Sequence, residues 1–160
     1  MQRVLKALHQ IGGIGVAGSL AACIVLILTA PTDSLVGYAA VRQGIAAISQ
    51  WLLVPSLALV LVSGLLAIAA NRAYHDAGWA WIKALLGLVM FEGTLVTISG
   101  SARKAAELSA LAAAGEGDPA RLAEVLRTEW GSVWLILALS IANVLLAVWR
   151  PKLRRRPAAD

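Results

Sequence analysis

Few side chains in this sequence can do chemistry, and those that can lie in apolar surroundings. Glu92 is the sharpest case. It sits about twelve residues into the apolar stretch 80–99, roughly 18 Å along a helix at 1.5 Å per residue. An ionised carboxylate at that depth of a bilayer costs about 2.5–3.5 kcal/mol even on the lenient insertion scale. It must therefore be protonated, paired, or turned toward a wet cavity. Gln50, Ser56 and Cys23 fall at similar depths on other apolar stretches, and Asn143 falls deeper. Two readings stand: an intramembrane polar pocket of Glu92, Gln50 and Asn143 that handles a proton or a ligand, or a neutral Glu92 hydrogen-bonded across helices to hold the bundle.

A second group gathers at the opposite level. Lys6, His9, His75, Trp81 and Lys83 fall at the same ends of the first three apolar stretches. His9 is followed at i+3 and i+4 by Gly12 and Gly13, which put bare backbone on the same helix face. A flat macrocycle ligated by His9 would need such clearance; close helix packing uses glycines equally well. Lys83 also suits a snorkelling lysine, and His75 a solvated loop histidine. The chain has two histidines and one cysteine, too few for the three or four ligands of a zinc or copper site. No metal-ion site is expected. A haem needs only one or two axial ligands, so haem b is the cofactor that the composition restricts least. No Walker loop, nucleophile elbow or HExxH helix is present, and no catalytic set is assigned.

The elements that must position these groups are apolar helices. Of the 160 residues, 59% are hydrophobic and only 14% charged, against about a quarter charged in soluble domains. A chain of this size cannot hide that much apolar surface in one core. Four stretches are long enough to span a bilayer, about 8–30, 45–70, 80–99 and 131–149. Residues 1–6 resemble a signal peptide's basic start, and Leu20-Ala21-Ala22-Cys23 would pass as a lipoprotein cleavage box. The apolar run continues past Cys23, so it is read as an uncut anchor. The fold expected is all-α: one membrane domain of four transmembrane helices, with a helical outer segment between the third and fourth. Gly115-Glu116-Gly117 should break that segment, and Asp118-Pro119 should start the next helix.

Charge orients the bundle. The net charge of +5 comes from a basic tail at 150–160 holding Arg150, Lys152, Arg154, Arg155 and Arg156, with Arg3 and Lys6 at the start. Arg72 lies in the short loop between spans two and three. Arg42 is placed in the first outer loop. The positive-inside rule sets both termini in the cytoplasm, in the inner membrane of a bacterium. The partners expected are the lipid bilayer and either further copies of the chain or a larger membrane complex; nucleic acid is not one of them. Tyr38, Trp79, Trp81, Trp130, Trp134 and Trp149 fall near span ends, as an aromatic belt requires. Pro55 should kink the second span. Ser49, Ser56 and Ser63 recur every seven residues as a small polar face for another helix. Gly18 and Ala22 form a small-xxx-small pair.

Short motifs carry a family resemblance. Lys6-Ala7-Leu8-His9 before a glycine-rich helix resembles the first span of HemJ-type membrane proteins. It is also similar to copper-resistance protein D and to a family of small, uncharacterised bacterial four-helix membrane proteins. Gly78-Trp79-Ala80-Trp81-Ile82-Lys83 resembles the opening of their third span, and the 55–64 stretch fits the uncharacterised family. The HemJ likeness implies haem binding or protoporphyrinogen oxidation, with the key first-span His and third-span Lys falling on His9 and Lys83. This chain departs from that pattern by having Glu92 and no histidine in span three. A copper role would also need more His or Met. The resemblance therefore implies an inner-membrane protein of unassigned role, with a haem-binding redox protein and an accessory subunit of a membrane complex as alternatives.

Overall fold

The computed structural model describes residues 2–71, 74 and 77–149. Four helices account for nearly all of it: α1 Gln2–Thr29, α2 Leu35–Ala69, α3 Gly78–Ala113 and α4 Pro119–Trp149. Each is long and apolar enough to cross a membrane. They run alternately up and down, so Gln2 and Trp149 lie at one end of the bundle. The basic tail, Arg72 and His75 lie outside the described residues.

Helices α2 and α3 hold 35 and 36 residues, about 52–54 Å of helix at 1.5 Å per residue. A hydrocarbon core is about 30 Å thick. The excess projects beyond the end of α1, where the first part of α2 packs on the last part of α3 and the start of α4 joins them. The first connection is consequently much shorter than the sequence suggested. Only residues 30–34 link α1 to α2, and Ser34 caps α2 by accepting a hydrogen bond from Gly37 N at 3.1 Å. Arg42 thus belongs to the second helix and not to an outer loop, which corrects the expected start of that span.

The turn between α3 and α4 follows its composition. Gly115 takes φ +83°, a left-handed conformation that only glycine adopts without strain. Glu116 N then donates back to Leu111 O at 2.9 Å, closing the end of α3. Asp118 accepts from Ala120 N and Arg121 N at 3.0 and 3.2 Å, an N-cap followed by Pro119 at the first helical position.

Two π-turns interrupt the long helices, Ser49–Leu53 in α2 and Thr94–Ser99 in α3, and they pack against each other. The first accounts for Pro55. A proline inside a helix lacks an N–H and crowds the preceding turn, and here the turn before it widens so that Val54 N reaches Ser49 O.

The heptad serines meet α1 in antiparallel register. Ser49 faces Cys23, with the oxygen and sulfur 3.9 Å apart. A Cβ on Gly15 would come within 2.9 Å of Ser56 Cβ. Ser63 reaches His9. Small residues on both sides let the two backbones approach closely. Gly18 has open space around it, so Gly12 and Gly15, not a Gly18–Ala22 pair, form the small-residue contact within this chain. A core of Val16, Leu20, Leu53, Leu57, Met90, Ile98, Val133 and Ile136 fills the centre of the bundle.

Candidate functional site

The sequence-derived polar set does not converge. Glu92 and Gln50 are both exposed on the outside of the bundle. Asn143 is half-buried, its Nδ2 lying 4.0 Å from Met90 Sδ while its Oδ1 has no partner. No common pocket joins these three. The reason is helical phase: the core face of α3 carries Met90, Thr94 and Ile98, and Glu92 projects between them from the other side.

The histidine group is partly assembled. His9 Nδ1 lies 3.0 Å from Val60 O and 3.2 Å from Ser63 Oγ. A carbonyl only accepts, so Nδ1 carries the proton and Nε2 is the nitrogen left to act as a ligand or base. Lys83 is near enough for its charge to act on His9. The glycines do not frame a pocket, however. A Cβ on Gly12 would meet Val60 Cγ2 at 2.8 Å and Ser56 O at 3.0 Å, so that face is filled by α2. Gly13 is open but faces outward, and Trp81 is exposed. The contact to Val60 O leaves Nε2 as the ring nitrogen not engaged among the described residues, but the enclosed slot that a macrocycle would fill is not formed by Gly12.

The most enclosed polar chemistry lies elsewhere. Arg42 from α2 and Glu129 from α4 form an ion pair with side chains 1% and 2% exposed, the only ion pair among the described residues. The bond runs from Arg42 Nη2 to Glu129 Oε2, while Arg42 Nε and Glu129 Oε1 stay buried and unpaired. Taking two such charges out of water costs several kcal/mol each, and each orphaned polar atom adds about 1–3 kcal/mol. Replacing such a pair by apolar side chains is often neutral or stabilising, so stability alone is a poor reason to keep it.

The pair floors a cleft of about 290 Å³ lined by Ile27, Tyr38, Leu126, Arg127 and Trp130. Trp130 is held edge-to-face against Trp134, with centroids 5.7 Å apart. Arg127 stands exposed at the lip without an ion-pair partner among the described residues. Inside the floor, Cys23, Ile45 and Ala102 form a second packed cluster, and Cys23 feels the charges of both Arg42 and Glu129. Just below, Thr94 Oγ1 and Ser99 Oγ of the second π-turn are buried without partners. The cleft opens where α1 ends and the projecting parts of α2, α3 and α4 begin.

Sequence reasoning passed over both members of the pair. A signal for Arg42 was present: it is the sole charged residue between Asp33 and Arg72. Its spacing with Ala39, Ile45 and Ser49 marks the buried helix face. Glu129 carries no such mark, as one of several acids in a mixed-charge segment.

Comparison of the chain with protein-family models, with curated proteins and with solved structures finds no match.

Proposed function

We propose that this chain is a multi-pass protein of a bacterial inner membrane, with both termini cytoplasmic, that binds an acidic amphiphile in the Arg42–Glu129 cleft at the outer end of its bundle. The observation that carries this reading is the cleft itself. Its floor is a charge pair that neutralises itself, its walls are apolar and aromatic, and its lip holds the cation of Arg127, which has no ion-pair partner among the described residues. The net local charge is therefore positive. An anionic head at Arg127 with an apolar body against Ile27, Leu126, Tyr38 and Trp130 satisfies both halves of the site. A volume near 300 Å³ is at the small end of ligand pockets and suits a headgroup and its first carbons. Four helices of spanning length and the basic residues at the chain ends support the location and orientation.

Native mass spectrometry of the purified chain, offered equal phosphatidylglycerol and phosphatidylethanolamine, tests it. Phosphatidylglycerol should be retained several-fold better, and Arg127→Gln should erase the preference. Equal retention of the two lipids by the native chain would end the acidic-ligand reading.

Haem b ligated by His9 Nε2 is the second reading. It is favoured by the tethering of Nδ1 to Val60 O, an arrangement common in histidine ligands. A Soret band that shifts on reduction and disappears in His9→Ala would support it. A featureless spectrum after expression with added haem would remove it.

A further inference from the structure

Glu92 stands in the middle of an outward-facing apolar stripe on α3. Its neighbours Leu85, Leu88, Val89, Leu95 and Val96 are all exposed, from 40% to 75%. Three pairs on this stripe are seven residues apart: 85 and 92, 88 and 95, 89 and 96. For 85 and 92, in regular α-helix, that is the seam spacing by which one helix packs on another; Leu95 and Val96 lie in the π-turn and share the stripe by their exposure. Glu92 has no hydrogen bond or ion pair among the described residues. Its level is central. It lies between the layer where Met90 meets Asn143 and the layer where Gly93 faces Ile136. A carboxylate there, open to lipid, would stay unsolvated and unpaired, the costliest place for it in a bilayer.

We infer that the α3 stripe is the interface with a second copy of this chain, joined at Glu92. Copies inserted in one orientation carry Glu92 at the same depth. A two-fold axis normal to the membrane and beside α3 lays stripe on stripe and brings Glu92 against Glu92. A carboxyl is self-complementary in a way that an isolated charge is not. Carboxyl groups facing each other across the axis share one hydrogen bond, the O–H of one donating to an oxygen of the other. No cation is needed, and the apolar residues above and below exclude competing water. A foreign helix would need its own polar group at the matching depth; a second copy supplies it by symmetry. The inference does not depend on what occupies the Arg42–Glu129 cleft.

Cysteine cross-linking of the full chain in vesicles of three parts phosphatidylethanolamine to one part phosphatidylglycerol tests it. Cys23 is buried, so the native chain should give no covalent dimer under mild oxidation. Val89→Cys and Val96→Cys, on the stripe, should each give a disulfide-linked dimer. Val144→Cys, exposed on α4, should not. Adding Glu92→Leu should weaken the stripe dimer about three- to thirtyfold, the range expected for one interhelical hydrogen bond in a membrane. Glu92→Gln should keep it, because an amide is also self-complementary. Unchanged helicity and thermal midpoint in Glu92→Leu would show that the loss is one of association. Absence of the stripe dimers, equal cross-linking at Val144→Cys, or full cross-linking with Glu92→Leu would each overturn the inference.

Discussion

Two carboxylates lie on helices long and apolar enough to cross a membrane, and the fold treats them oppositely. Glu129 is drawn into the interior, 2% exposed, and bonded to Arg42. Glu92 is left on the outer face of α3, among large apolar residues and without a partner among the described residues. The chain's own fold answers one charge and leaves the other to whatever surrounds the bundle. The difference teaches that apolarity of the neighbouring sequence does not reveal which charges a bundle satisfies internally. Helical phase does, and phase is set by which face the other helices cover.

The largest effect should come from breaking the internal answer. Glu129→Leu leaves Arg42 buried and uncompensated and should cost about 3–5 kcal/mol of fold stability, read as a large drop in thermal midpoint in micelles. Arg42→Met combined with Glu129→Leu should recover most of it. If the double variant is as unstable as the single one, the pair holds more of the structure than its own bond. Glu92→Leu by itself should leave the midpoint near that of the native chain.

The same contrast of inside and outside applies to glycines. Gly15→Ala presses a methyl group into Ser56 and should cost about 1–3 kcal/mol, whereas Gly18→Ala meets open space and should be neutral or slightly stabilising. Equal effects at the two positions would mean that α1 and α2 do not pack closely at Gly15. Smaller again is Asp118→Ala, which removes the cap of α4 and should cost about 1 kcal/mol, seen first as faster hydrogen exchange in the turn after Asp118. The smallest is Ser63→Ala, about 0.6 kcal/mol for an interhelical hydroxyl contact. His9 keeps its bond to Val60 O, so spectra reporting on the His9 ring should barely move.

The helices were legible in the sequence because length and hydropathy alone define them. The Asp118-Pro119 start and the Gly115 stop were legible because they rest on local backbone chemistry. The serine heptad pointed to a packed face, which α1 occupies. Less visible was the length of α2. Leu35 and Val36 look like loop residues beside Pro31 and Asp33, yet the first part of α2 is held helical by packing on α3, a tertiary effect. The site was missed for a related reason. Arg42 and Glu129 are 87 residues apart, and nothing local pairs them.

The two π-turns carry a further consequence. Each places one residue more in its helix than an α-helix of equal length would hold, and that shifts everything beyond it by about 100° around the axis. Both fall at one level, between the central core and the Arg42–Glu129 floor. The outer third of the molecule is thus indexed to the rest like a key turned one notch. Removing a single residue from 49–53 would let the wide turn close to an α-helical one with Arg42 still facing Glu129, whereas removing one from the regular helix between Arg42 and Ser49 would rotate Arg42 away by about 100°. In this chain, residue count is itself a determinant of where the charge lies.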